Sequence, residues 1–284
     1  MKSGRMRSGK PALTMTEPLN AVVTQRTEVA PGLVILRVVP DGWPVPNFKA
    51  GQFAVLGLPG AAKRYHFSRL EPNPSDPHKL IKRAYSIASS SVAKVHLEFY
   101  VSLVPSGLLS PRLFALEVGD RLWLSPKITG LFTLDQVAPD RHIVLLATGT
   151  GVAPYMSMLR THLVAGGPRR FAVIQGARNS ADLGYQSELM TMAHLCPNFT
   201  YIPSISRPNG EKVPWPGPTG HVQDVWASDP LTSVWGFAPA PTNTDIFLCG
   251  NPAMIDDTLV ILERQGFKEH KPRAPGNVHL ERYW

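Results

Sequence analysis

The spacing of apolar positions changes near the middle of the chain, and the change predicts two different architectures. Between Leu19 and about Pro126, the stretches 21–29, 33–39 and 52–58 are rich in Val, Leu and Phe and are punctuated by Gly or Pro, as short strands joined by turns should be. Val95, Leu97, Phe99, Val101 and Leu103 alternate with His96, Glu98, Tyr100 and Ser102. That period of two predicts a strand with one buried and one polar face. Several such strands predict an antiparallel β-barrel or sandwich. The stretch from Pro59 to Ile81, with four prolines and several charges, breaks the rhythm and reads as a surface loop insertion.

After Pro139 the apolar runs become continuous. Residues 143–147, 171–175, 201–205 and 245–249 read as strands buried on both faces. Helical spacing follows through Met156, Leu159 and Leu163, and again after Asp182. Asn251-Pro252 opens another helix with a capping residue and a proline at its first position. This alternation predicts a doubly wound parallel sheet. The Pro/Gly-rich span 207–220 is a loop within it. The expected division is a disordered basic tail (1–17), an antiparallel β-barrel (18–138) and an α/β domain (139–284), with the boundary inside 136–142.

Composition narrows the chemistry. With 43% hydrophobic and 18% charged residues the chain is globular, and no apolar run reaches the roughly 20 residues that span a bilayer. Cys196 and Cys249 are too few for a disulfide framework, a four-cysteine cluster or a zinc ribbon. No metal is expected, any redox chemistry needs an organic cofactor, and a reducing cytoplasm is the expected setting. The net charge of +8 favours anionic partners, but no dense Lys/Arg run with interleaved aromatics points to nucleic acid. Part of that excess sits in the tail, at Lys2, Arg5, Arg7 and Lys10, which lacks a hydrophobic signal core; Met15 offers an alternative initiator.

Three clusters carry candidate chemistry. In Arg83-Ala84-Tyr85-Ser86 on a strand, Arg83 and Tyr85 share one face and Ser86 takes the other. Arg suits a phosphate, Tyr a flat ring and Ser a ring heteroatom, although strands favour aromatics on packing grounds alone. Thr148-Gly149-Thr150-Gly151-Val152-Ala153-Pro154 lies between a buried strand and a helix, where backbone amides receive pyrophosphates; the third glycine of the dinucleotide fingerprint is absent. Arg178 and Arg207 each end a strand, and no acid lies between Gln175 and Asp182, which favours NADPH over NADH.

These features, in this order, resemble the bacterial ferredoxin/flavodoxin–NADP+ reductase family over nearly everything from Leu19 to Trp284. The motifs are residues 83–86, 107–113, 147–154 and 249–252, and the terminal Glu281-Arg282-Tyr283-Trp284. The resemblance implies an FAD-binding antiparallel barrel, an NADP-binding α/β domain, and electron exchange between NADPH and an acidic carrier, ferredoxin or flavodoxin, by a monomer. It implies that FAD meets Arg83, Ala84, Tyr85, Ser86, Tyr100, Val101, Ser102, Leu108, Leu109, Ser110, Thr150, Tyr283 and Trp284. Arg83 is expected at the pyrophosphate, Tyr85 on the isoalloxazine, Ser86 near flavin N5, and Tyr100 and Val101 along the flavin side chain. Ser110 matches a phosphate-binding serine; Tyr283 would stack on the other flavin face and Trp284 would cover the adenine. NADP is expected at Gly149, Thr150, Gly151, Ala177, Arg178, Ser206, Arg207, His221, Cys249 and Gly250. Ser86, Cys249, Glu281 and Tyr283 form the implied catalytic set.

Two departures from the family pattern matter. Gly107-Leu108-Leu109-Ser110 replaces Gly-Lys-Leu-Ser, so one pyrophosphate cation is missing unless Arg112 or the helix dipole substitutes. Thr219-Gly220-His221 replaces Thr-Gly-Arg, and a histidine cannot make a bidentate guanidinium contact; Lys212 is the nearby substitute. One lost charge-assisted bond costs ~1.5–3 kcal/mol, or roughly ten- to a hundredfold in preference. Two other readings stay open on the sequence: an NAD(P)H-dependent reductase component of an oxygenase system, and a flavin-binding redox-sensing protein without turnover.

Overall fold

Eleven strands sort into two sheets in a computed structural model that describes residues 17–282. The first sheet comprises β1 (Ala21–Ala30), β2 (Leu33–Pro40), β3 (Phe53–Pro59), β4 (Leu80–Ser86), β5 (Leu97–Ser102) and β6 (Arg121–Leu124). Their order is β4-β3-β6-β1-β2-β5, with every pairing antiparallel. Gly32, at φ +84°, makes the tight turn between β1 and β2. The edges β4 and β5 approach through a single bridge between Ile87 and Phe99, so the sheet is barrel-like. Leu36, Leu56, Leu97, Phe99 and Leu122 fill its interior, and α1 (Ser110–Phe114) plugs one end with Leu113 and Phe114.

The second sheet holds β7 (His142–Thr148), β8 (Phe171–Ala177), β9 (Phe199–Ile205), β10 (Thr244–Gly250) and β11 (Val278–Arg282). All pairings are parallel, in the order β11-β10-β7-β8-β9. Along β7, Ile143, Leu145 and Ala147 pack beneath α2 (Ala153–His162) and α3 (Gln186–Leu195). Val144 and Leu146 face the other way, towards α4 (Val222–Ala227), α5 (Thr232–Trp235) and α6 (Pro252–Arg264). The expected doubly wound sheet is therefore present. Asn251 caps α6 as its sequence suggests, its side chain accepting from Ala253 N at 2.8 Å. Strand order reverses between β7 and β10, which opens a crevice at their carboxyl ends.

One expectation needs correction. The polar face of β5 is not solvated: Glu98 is 2% exposed and Tyr100 is 3% exposed. Glu98 accepts from Arg37 Nε at 2.7 Å within the first sheet, from Arg160 of α2 at 2.7 Å, and from Tyr185 Oη at 2.9 Å. The alternation is real, but the second sheet's helical layer covers the polar side. Ser157 Oγ also donates across this contact, to Ser89 O at 2.7 Å. The basic tail, except Glu17, lies outside the described residues, as do Tyr283 and Trp284.

Candidate functional site

The two halves share one cleft of about 620 Å³. Arg83, Ala84, Tyr85 and Ser86 of β4 line one wall, joined by Tyr100 and Ser102 of β5 and by Leu108, Leu109 and Ser110. Thr150 and Ala153, from the turn after β7 and the start of α2, close it from the other half. Nearly the whole expected flavin set is thus gathered in one place. Among the described residues of that set Val101 is the exception: its side chain is buried in the core of the first sheet, because the pleat turns it away from its neighbours Tyr100 and Ser102; Tyr283 and Trp284 lie outside the described residues. Gly107 and Ala153, which lie inside the motifs 107–113 and 147–154, also line the cleft, as do Val104 and Ser106, which no motif included; adjacency to Gly107 was the available signal for those two.

Arg83 is exposed, and its guanidinium meets only the Lys82 carbonyl, at 2.7 Å; it pairs with no carboxylate among the described residues. Burial pushes the Tyr85 phenol far above its ordinary range, so it is neutral. Ser110 Oγ accepts from Val104 N at 3.0 Å and so braces the turn that forms the cleft's rim.

Arg112 does not stand in for the missing lysine. It is 2% exposed and donates to Glu71 Oε1, to Leu108 O at 2.6 Å and to Gly60 O. Arg64 joins Glu71 at 2.6 Å and Gly107 O at 3.1 Å. The bond from Arg112 holds the Glu71 carboxyl down at about 2. Arg112, offered as one of two substitutes for that missing cation, is instead a staple that fixes the 60–79 loop against the 104–110 turn.

The turn after β7 is built by glycines with separate tasks. Gly149 has φ +55° and open space where a Cβ would stand, which leaves room for a ligand to approach. Gly151 is needed for packing, since a Cβ there would lie 2.2 Å from Cys249 O. Thr148 Oγ1 accepts from Asn251 N at 3.0 Å, locking this turn to the one that follows β10.

A half-buried carboxylate joins the two halves. Register places Glu281 of β11 beside Cys249 of β10. Ser86 Oγ donates to Glu281 Oε2 at 2.9 Å, and Cys249 Sγ approaches the same oxygen at 3.9 Å. Burial drives the Glu281 carboxyl up to about 7, against the opposing pull of the Ser86 and Cys249 hydrogen bonds. Between its ordinary value of 4.5 and about 7, the folded chain holds a proton that the unfolded chain has released. Stability therefore falls as pH rises through that window. Glu281→Gln is expected to flatten this dependence, read as the urea midpoint measured from pH 4 to 8; an unchanged slope counts against the assignment.

Farther out, Ser206 N bonds to Ala177 O at 3.0 Å and Arg207 N to Arg178 O at 2.9 Å, so the ends of β8 and β9 form one lip. Gly220 N bonds to Ile205 O at 2.9 Å, which brings His221 alongside, at the start of α4. Arg178, Arg207 and His221 are all exposed. Among the described residues no cluster of His, Cys, Asp or Glu could hold a metal ion, and no helix is long and apolar enough to cross a membrane.

Residues 145–259 match the family described as the oxidoreductase NAD-binding domain. A flavodoxin/ferredoxin–NADP reductase of Escherichia coli is 33% identical over 242 residues, 85% of this chain and 90% of its own. A ferredoxin–NADP reductase of Azotobacter vinelandii is 30% identical over 250 residues, 84% of this chain and 88% of its own. Among solved structures, a ferredoxin NADP+ reductase from Neisseria gonorrhoeae with bound FAD and NADP shares the fold, at TM-score 0.73 and 22% identity. That likeness covers 93% of this chain and 98% of the gonococcal one.

Proposed function

From its membership of the ferredoxin/flavodoxin–NADP reductase family, we propose that this chain binds FAD in the shared cleft and exchanges electrons between NADPH and ferredoxin or flavodoxin. The observation that carries this reading is the cleft itself. Its volume falls in the roughly 300–1,000 Å³ range of small-molecule sites, and a guanidinium with no carboxylate partner among the described residues, a neutral phenol and a hydroxyl stand along one strand. Those groups fit a pyrophosphate joined to a flat ring. Bound there, FAD would supply a hydride acceptor for NADPH and a source of single electrons.

The chain's own residues orient and insulate. Arg83 binds the pyrophosphate, and Tyr85 packs against the flavin ring. Ser86 donates to Glu281, which holds or yields a proton near neutral pH where the two halves meet. Thr150 and the Gly149 turn receive the nicotinamide end at the strand-order switch, and Arg178 and Arg207 receive the 2′-phosphate at the lip. Residues 18–138 then form the FAD-binding domain and 139–284 the NADP-binding domain. Two unbridged cysteines, Cys196 and Cys249, suit a cytoplasmic setting.

A basic protein docking an acidic carrier should show salt-sensitive association. NADPH-driven reduction of ferredoxin and of flavodoxin, with the carrier kept below saturation, is expected to slow as ionic strength rises. A rate indifferent to salt, or reduction of neither carrier, contradicts the proposal. Histidine at 221 favours one second reading, an NAD(P)H-dependent reductase serving an oxygenase, which the same assay separates by its acceptor.

A further inference from the structure

The loops that follow β8 and β9 are joined by more than backbone. Ser180 N donates to Glu211 Oε1 at 2.8 Å, and Ser180 Oγ donates to Glu211 Oε2 at 2.6 Å. Both oxygens of one carboxylate are thus held by the amide and hydroxyl of a single residue. These hydrogen bonds from Ser180 keep the Glu211 carboxyl below its ordinary range. The loops also touch nearby, since a Cβ on Gly210 would stand 3.6 Å from Asn179 Oδ1.

The same lip carries Arg178, two residues before Ser180, and Arg207, four residues before Glu211. Neither guanidinium pairs with a carboxylate among the described residues. An amide, a hydroxyl and two unpaired guanidiniums form a donor set of the kind a phosphate monoester uses. Glu211 already takes two of those donors and adds a negative charge.

We propose that Glu211 is a specificity-determining residue: its carboxylate occupies the Ser180 donors, opposes the 2′-phosphate of NADP(H), and so narrows the preference for NADPH over NADH. The proposal rests on the reading that Arg178 and Arg207 receive that phosphate. It adds an antagonist within the lip, whose expected effect on selectivity is independent of that of His221.

The test is calorimetric titration of the flavin-loaded protein with 2′,5′-ADP and with 5′-AMP, probes that differ in the 2′-phosphate and share the rest. Glu211→Gln keeps the side chain's size and removes its charge. It is expected to tighten 2′,5′-ADP by about two- to fivefold and leave 5′-AMP unchanged, with the gain fading in high salt. Glu211→Ala should shift binding in the same direction. Unchanged or weaker 2′,5′-ADP binding in both variants, or an equal gain for 5′-AMP, overturns the proposal. A separate result identifies failure of the underlying reading: wild-type protein that binds both probes equally, with no response to Arg178→Ala, lacks 2′-phosphate recognition at this lip altogether.

Discussion

Glu98→Ala is expected to destabilise the folded chain by about 3 kcal/mol and to slow flavin reduction by NADPH. Burial alone would raise the Glu98 carboxyl's pKa, yet the Arg160 charge and hydrogen bonds from Arg160, Arg37 and Tyr185 outweigh it and leave the group below its ordinary range. Removing one partner of a buried ion pair leaves the other charge short of compensation. Arg160 would keep its two bonds to Glu188, at 2.7 and 2.6 Å, and its bond to Ala88 O at 2.8 Å, which holds the loss to the lower part of the known range.

The effect reaches the cleft through Tyr185. That residue holds a left-handed backbone, φ 63°, which is costly for a tyrosine. Its ring meets the cleft-lining Tyr100 edge-on, with centroids 5.4 Å apart. Gly184 must be glycine because a Cβ there would lie 2.3 Å from Tyr100 Oη. Without Glu98, the anchor for Tyr185 Oη is gone, and one of the contacts that set the angle between the two halves goes with it, leaving Arg160–Ala88, Ser157–Ser89 and Ser86–Glu281 to hold them. Urea denaturation of wild type, Glu98→Ala and Glu98→Gln checks the claim. The glutamine variant should fall between the other two, whereas an alanine midpoint equal to wild type would show that the contact is idle.

Gly151→Ala should cut turnover about a hundredfold while flavin is retained. The added methyl would collide with backbone, 2.2 Å from Cys249 O and 2.9 Å from Gly250 N, with no flexible side chain to give way. Overpacking of this kind costs about 1–3 kcal/mol in stability. Its larger consequence is geometric: the turn after β7 shifts from the end of β10, and Thr150 with it. A displacement near 1 Å is enough for a loss of order a hundredfold. Gly149→Ala differs in kind: its left-handed φ is unfavourable by about 1–2 kcal/mol, no protein atom stands within 4 Å, and the methyl would enter the space left for the nucleotide, so its loss should show in the KM for NADPH. Turnover with NADPH and ferricyanide, set against flavin absorbance per chain, distinguishes the two. Near-normal turnover in Gly151→Ala would contradict the packing role.

Much of this was legible because burial writes itself into composition. Strands β7, β8 and β10 are covered on both faces, and their continuous apolar runs say so. The Asn251-Pro252 pair announced α6 by a local mechanism, capping. What stayed hidden depends on distant partners. Alternation in β5 reported two faces but not that a second sheet's helices cover the polar one. Arg112 sits beside a phosphate-binding motif and was one of two substitutes the sequence offered for its missing cation; Glu71, 41 residues earlier, claims the guanidinium instead. Strand β11, five residues with Glu and Arg at its end, has too little apolar character to stand out. Its place comes from pairing with β10, and that pairing brings Glu281 to Ser86 across 195 residues. The Ser180–Glu211 contact likewise spans 31 residues between loops, where no periodicity operates.

The most direct test of the central claim is a single-turnover measurement. The flavin-loaded protein is mixed anaerobically with one equivalent of NADPH or of NADH, and flavin absorbance is followed. The account predicts rapid bleaching by NADPH, slower bleaching by NADH, and recovery of the oxidised spectrum when oxidised ferredoxin or flavodoxin is added. Failure of the purified chain to retain FAD, or a retained flavin that NADPH leaves oxidised, would contradict it.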